Sequence, residues 1–285
     1  MNHGQLLKDL RIGRGITQQQ LADGISSQAA LSRMEASGNI PSDLLLKFLN
    51  RLDIYLIEFF MLAGEENVTV PHTFLNQREN SIFQKEKADE LIKNEMELYR
   101  KTGFPKHKIN ALSLKAAYSK VHDLPLENSK EITNEIKNHL LQFNSWFIND
   151  IILYTNLLFI FDNEFIKTHH RTILRSLDRF FLGRAQKHNL QIHYANNSVL
   201  LAFERHNWAD LDFYLDTYRE FLTASPESLN DRIMYSIFTK LRDLVFEFDE
   251  ARYQNLIAET QIFSTYGLDA AGVDIRNLID DCLTK

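Results

Sequence analysis

Places to turn are scarce in this sequence: ten glycines and five prolines are spread over 285 residues. A turn-rich β fold needs such residues at most of its reversals. Their scarcity predicts long helices joined by short connections, an all-α fold class. Hydrophobic residues make up 44% and charged residues 25%. That is the balance of a globular chain, and its length allows two domains and a sizeable core.

Charge and rare residues narrow the function. A net charge of −6 argues against a protein that coats DNA through phosphate contacts, but leaves room for a dimer with a small DNA-reading face. Cys282 is the single cysteine, so no intramolecular disulfide and no thiolate zinc site can form, and it reads as a small apolar residue of the last helix. Met1–Arg14 has no secretory apolar stretch, and the apolar windows Ile151–Phe161 and Leu44–Leu62 are too short and too broken to span a bilayer. A cytoplasmic protein without a membrane partner is expected. No phosphate loop, nucleophile elbow or H-E-x-x-H motif occurs. His169 and His170 are adjacent, His188 and His193 are five apart, and His139 and His206 are isolated, so none has the spacing of a helical metal site. The expectation is no catalytic residue, no metal and no cofactor, with pH sensing by a histidine left open.

Residues 5–63 break into short amphipathic pieces. Leu6, Leu7 and Leu10 form one stripe, which Gly13 and Gly15 end. Thr17-Gln-Gln-Gln20 reads as a capping box that opens a second helix with Leu21 and Ala22 inward. Gly24-Ile25-Ser26 forms a turn, and Ser27 caps a third helix to about Glu35. There Ala30, Leu31 and Met34 face the core, while Gln28, Ala29, Ser32 and Arg33 face outward. Helices over Ser42–Leu52 and Tyr55–Leu62 close a five-helix unit. Two short helices about a tight glycine turn are the signature of a DNA-reading helix-turn-helix. Gln28 can pair bidentately with adenine, and Arg33 can reach guanine or a phosphate. Thr17 and Gln18 lie where a helix N-terminus meets a phosphate. The DNA-binding candidates are therefore Arg14, Thr17, Gln18, Ser27, Gln28, Ala29, Ser32 and Arg33. Residues 1–65 hold six Lys and Arg against seven Asp and Glu, so a bundle without nucleic acid is the competing reading.

Leu10-Arg11, Thr17-Gln18, Leu21-Ala22 and Leu31-Ser32-Arg33-Met34-Glu35 resemble the phage-repressor helix-turn-helix. They resemble more closely the Rgg/GadR/MutR regulators of Gram-positive bacteria. Leu21 to Glu35 spans fourteen residues, the Rgg-type spacing and one fewer than in common phage-repressor motifs. Ser27–Glu35 looks like that family's S-x-S-x-L-S-R-F-E segment, with Ala29 and Met34 departing. Ser37 stands where the family usually has glycine, and Gly38 follows. The resemblance to repressors of this type implies a structural ion pair between Arg11 and Glu35.

Residues 66–77, which include Pro71, read as a linker, giving domains 1–65 and 78–285. Helices are expected over Arg78–Thr102, Pro105–His122, Ser129–Phe143, Ser145–Phe161, Glu164–Lys187, Leu190–Arg205, Trp208–Thr223, Glu227–Phe248, Ala251–Tyr266 and Asp274–Thr284. Their succession suggests a stacked helical-hairpin array with a polar C-terminal capping helix. His206-Asn207-Trp208-Ala209-Asp210-Leu211 looks like the turn of a tetratricopeptide-like hairpin.

Rgg-type proteins carry this architecture, and the resemblance implies that the array takes up a short apolar signalling peptide, as in quorum sensing. Asparagine amides can serve a peptide's N–H and C=O together, and aromatics can form pockets. The peptide candidates are Asn149, Tyr154, Asn156, Tyr194, Asn196, Asn197 and Tyr235, with Phe159 and Phe203. Aromatics of this kind also build cores, and asparagines also cap helices. A homodimer on a palindromic double-stranded DNA site is expected, with Phe238, Leu241, Leu244, Val245 and Phe248 as the candidate dimer surface. The competing reading is a regulator whose array serves only oligomerisation or a protein partner.

Overall fold

Short polar side chains start the first helices. In the computed structural model, which describes residues 2–54, 56–64, 84–143, 146–179, 184–224 and 228–284, Asn2 caps α1 (His3–Gly13) by accepting from the Gly4 and Gln5 N–H groups. Thr17 caps α2 (Gln18–Ala22) in a complete capping box: Gln20 N–H donates to its hydroxyl at 3.2 Å, and Thr17 N–H donates to the Gln20 side chain at 2.8 Å. Ser27 caps α3 (Gln28–Ser37) by accepting from Ala30 N–H at 3.1 Å. α3 runs two residues past Glu35 and stops at Gly38, whose φ of 79° is the left-handed turn that glycine adopts most easily. α4 (Ser42–Leu52) and α5 (Leu56–Ala63) complete the bundle. Leu7, Leu21, Leu31, Phe48, Leu49 and Phe59 are its buried centre.

Helix α1 lies close against α3. A Cβ on Gly4 would fall 2.3 Å from the Met34 carbonyl oxygen and 2.6 Å from that of Glu35. At this crossing the Arg11 guanidinium donates from Nε to Glu35 Oε1 at 2.7 Å and from Nη2 to Oε2 at 2.9 Å. Both residues are buried. The ion pair implied by the resemblance is thus present and bidentate.

The chain divides into two compact units, residues 1–87 and 88–285. The expected linker, 66–77, lies outside the described residues. The second unit begins within α6 (Lys85–Thr102) and continues with α7 (Pro105–Val121), α8 (Ser129–Leu141), α9 (Ile148–Asn156), α10 (Asn163–Arg179), α11 (Arg184–Glu204), α12 (Trp208–Ala224), α13 (Leu229–Phe246), α14 (Glu250–Glu259), α15 (Gln261–Thr265) and α16 (Asp269–Leu283). Every described element in the chain is helical. Successive helices pair as α7 with α8, α11 with α12 and α12 with α13, while α9 packs on α11. No described helix is long and apolar enough to cross a membrane.

Several helix boundaries differ from the sequence expectation. The helix expected over Ser145–Phe161 is only Ile148–Asn156, followed by a 3-10 turn at Leu158–Ile160. Tyr154, Leu157, Leu158 and Phe161 are all buried and keep the i, i+3, i+4, i+7 spacing of one helical stripe, so the apolar pattern runs on past the end of the helix. Where helices are expected over Glu164–Lys187 and Leu190–Arg205, the described helices are Asn163–Arg179 and Arg184–Glu204, and residues 180–183 lie outside the described residues. The helix expected over Ala251–Tyr266 is divided at Thr260, which is fully buried and donates its hydroxyl to the Ile257 carbonyl. The last helix starts five residues before Asp274 and is not polar throughout, since Ile275, Ile279 and Cys282 enter the core. The dimer-surface candidates are corrected too. Phe238, Leu241 and Leu244 lie inside the protomer core, Val245 is half-buried, and only Phe248 is exposed.

Two stability effects follow. Replacing Arg11 by Leu leaves a buried carboxylate without its cation, and should cost the first unit about 3 kcal/mol. The expected readout is loss of hydrogen-exchange protection in α1 to α3, while the fluorescence transition of Trp146 and Trp208, both in the second unit, holds. In that unit, burial pushes His170 down to about 4 from its ordinary 6.5, and burial also lowers His139, against the attraction of Asp150. The folded state therefore refuses protons that the unfolded chain accepts. Tryptophan-monitored urea melts should show stability constant above pH 6.5 and falling as pH drops toward about 4, less steeply in His170→Gln.

Candidate nucleic-acid and ligand sites

Helices α2 and α3, joined through Gly24 at φ 64°, form the helix-turn-helix. Ser27, Gln28, Ala29, Ser32 and Arg33 are all exposed on α3 and its cap, as a base-reading helix requires. Arg33 makes only a long 3.4 Å contact to the Ala29 carbonyl, so its guanidinium remains available. Arg14 is exposed, and one of its nitrogens donates to the Asp53 carbonyl at 3.2 Å. Thr17's hydroxyl accepts from Gln20 and still carries a proton to donate.

Gln18 has a different engagement from the one its position suggested. Its Nε2 donates to Glu35 Oε2 at 2.8 Å, so the side-chain amide faces the ion pair rather than a phosphate. Glu35 then accepts from Arg11 and Gln18 together, while Arg11 also donates to the Ile16 carbonyl at 2.9 Å. Burial alone would raise the Glu35 carboxyl, but the hydrogen bonds from Arg11 and Gln18 win and hold it below the ordinary carboxylate value. The hydrogen bond to Glu35 raises Arg11 against its own burial. The three side chains tie α1, the start of α2 and α3 together.

The other end of α2 is held from outside the motif. Arg51, in the last turn of α4, directs Nη1 at the carbonyls of Gln20 and Leu21, at 3.3 and 3.2 Å, and donates to that of Asp23. A five-residue helix cannot maintain itself in isolation. One cation on its closing carbonyls satisfies groups that would otherwise lack partners.

In the second unit, α9 and α11 bring three polar side chains together. His193 Nε2 lies 2.7 Å from Asn156 Oδ1, and Asn197 Nδ2 donates to the Thr155 carbonyl at 3.1 Å. Asn149, two turns before Asn156 on α9, is exposed, and Asn196 is half-buried. The structure does not gather the tyrosines with them. Tyr154 and Tyr194 are fully buried core rings. Tyr154 donates to the Ile166 carbonyl at 3.1 Å, and the Tyr194 hydroxyl is 2.7 Å from His170 Nδ1. Burial drives both phenols far above their ordinary value, so neither offers a surface pocket. Phe203 is also core, and Phe159 is partly buried. Tyr235, on α13, is half-buried against Tyr218 with ring centres 5.5 Å apart. His193 and Arg51 did not stand out in the sequence. The one available cue was that His193 precedes Asn197 by four residues, one helical turn.

Replacing Arg51 by Ala should reduce specific DNA affinity by about tenfold, roughly 1.4 kcal/mol. Competition with non-specific duplex should show the loss confined to the specific complex, because Arg51 orients α2 and need not touch DNA.

Comparison with known proteins follows the same division. Residues 7–59 match the helix-turn-helix family model, and residues 85–264 match that of the HTH-type transcriptional regulator Rgg, C-terminal domain. No curated protein matches the chain by sequence. Among solved structures, the SHP pheromone receptor Rgg2 of Streptococcus dysgalactiae superimposes with a TM-score of 0.71 at 18% identity, covering 97% of this chain and 98% of that one. A Listeria monocytogenes protein described as a transcriptional regulator gives 0.78 at 17% identity, covering 99% and 97%. PrgX in complex with iCF10 gives 0.74 at 17% identity, covering 99% and 96%. The match to the Rgg C-terminal model spans more than half of the residues and joins a helix-turn-helix in the same chain, so this protein belongs to the Rgg-type family of DNA-binding transcriptional regulators.

Proposed function

We propose that this regulator is controlled by a short peptide held against α9 and α11. The observation that carries the reading is the way internal hydrogen bonds set the two amides. Asn156 spends its oxygen on His193, which leaves its NH₂ to act as a donor. Asn197 spends its NH₂ on the Thr155 carbonyl, which leaves its oxygen as an acceptor. One donor and one acceptor on adjacent helices match the C=O and N–H of an extended peptide. Asn149 and Asn196 extend the same polar character. The pheromone receptors among the structural neighbours support the reading.

In this proposal residues 1–65 read DNA, residues 66–77 link, and the helical array from residue 78 senses peptide and dimerises in the cytoplasm. Two readers related by a two-fold axis would occupy a palindromic site. Peptide binding shifts the population between arrangements of the two readers, to the extent that one arrangement binds it better.

Two experiments test the assignments. A pool of apolar octapeptides should raise the melting temperature of the second unit, and Asn197→Ala should abolish the rise. No rise with the native chain removes peptide sensing and leaves an array used for assembly alone. On the DNA side, Gln28→Ala should cost about 1–3 kcal/mol of discrimination at one base position. Arg14→Gln should weaken all duplexes alike and reduce the salt slope by about one. Unchanged binding of both variants across a salt titration would remove the DNA-face assignment.

A further inference from the structure

A cavity of about 630 Å³ opens between the end of α7, α8 and the turn that follows α9. That is a size at which proteins bind small organic ligands, and none of the amides discussed above lines it. Its cations are Lys120, Lys130 and Lys137, and its apolar wall includes Leu124, Phe159 and Ile160. Two of the ammonium groups have carboxylate partners. Lys120 pairs with Glu204 at 2.9 Å, and Lys137 pairs with Asp162 while its Nζ lies 4.6 Å from the centre of the Phe165 ring. Lys130 has no ion-pair partner among the described residues. Asp162 is held ionised below its ordinary value, first by Lys137 and then by the Phe165 N–H. Asp123, the other carboxylate of the lining, adds an acceptor for a peptide N–H.

The cavity lies within reach of the amide pair. Glu204 is seven residues beyond Asn197 on α11, two turns along one face and about 10 Å away, and its partner Lys120 is on the cavity rim. Phe159 follows Asn156 by three residues, so their Cα atoms are at most about 11 Å apart. About three extended residues cover that distance.

We propose that this cavity receives the C-terminal end of the peptide, its free carboxylate on Lys130 and Lys137 and its last apolar side chain against Phe159 and Ile160. The proposal rests on the peptide reading above and adds polarity to it: the chain runs from the amides toward α8, carboxylate last. A carboxylate against two ammonium groups forms charge-assisted hydrogen bonds, stronger than those an amide end can make.

The test uses the full chain, ligand-observed saturation-transfer NMR, and three probes: N-acetyl-Leu-Ile-Phe as the free acid, the same tripeptide as the C-terminal amide, and isovalerate. The acid should bind about tenfold or more tightly than the amide, a difference of about 1.4 kcal/mol. Lys130→Gln, which disturbs no ion pair among the described residues, should bring the acid down to the amide's affinity. Asn197→Ala should weaken acid and amide by the same factor. Equal binding of acid and amide, both lost in Asn197→Ala, would overturn the carboxylate subsite while keeping the peptide face. Acid binding that falls in Lys130→Gln but is untouched by Asn197→Ala would keep the cavity as the carboxylate site and remove the amide face. Isovalerate competing as well as the acid would mean that the cavity takes free aliphatic acids, and would overturn the assignment to a peptide end. Absence of saturable binding by any probe overturns it outright.

Discussion

Glu35 is the residue on which the DNA-reading unit turns. Its carboxylate is buried where α1 passes close to α3, and both oxygens are taken by donors from elsewhere in the unit. A buried anion of this kind is tolerable only while its donors are in place. The arrangement therefore selects one geometry: Arg11 must come from α1, and Gln18 from the first turn of α2. Glycine at position 4 is what lets α1 approach closely enough, since a side chain there would meet the α3 carbonyls. The exposed row Gln28, Ala29, Ser32 and Arg33 is then presented by a helix whose opposite face is locked.

The helix starts of this unit were legible because their causes are local. Thr17 with Gln20, and Ser27 with Ala30, act within three residues, and sequence shows that range directly. The Arg11–Glu35 pair spans 24 residues and was accessible only through resemblance to a known motif. Arg51 was not legible at all. It lies 28 to 31 residues from the carbonyls it serves, and an outward arginine at the end of an amphipathic helix looks like any solvated charge.

In the array, hydrophobic periodicity identified the helices but not their two faces. Tyr154 and Tyr194 belong to helices packed on more than one side, so an aromatic residue there has several buried directions available and only one that meets a ligand. The same ambiguity hid Phe238, Leu241 and Leu244, whose spacing suits a dimer seam and a protomer core equally well. The asparagines were easier to place. An amide is costly to bury without partners, and Asn156 and Asn197 have theirs in His193 and a backbone carbonyl. The short α9 escaped because the apolar spacing continues beyond it, and the division at Thr260 escaped because a buried hydroxyl closing on the Ile257 carbonyl leaves no mark in hydrophobic periodicity.

The hold of Arg51 on α2 bears on how such readers exchange specificity. The side chains proposed to face the bases are exposed and lie between residues 27 and 33, which makes that segment look portable. Yet α3 is held by an ion pair rooted in α1, and α2 before it by a cation from α4. A recognition segment transplanted into a scaffold without those two arginines carries the letters of its site and loses the spacing between them. Changes of operator within a lineage of such proteins should therefore accumulate on the outer face of α3, while the arginines behind it stay fixed.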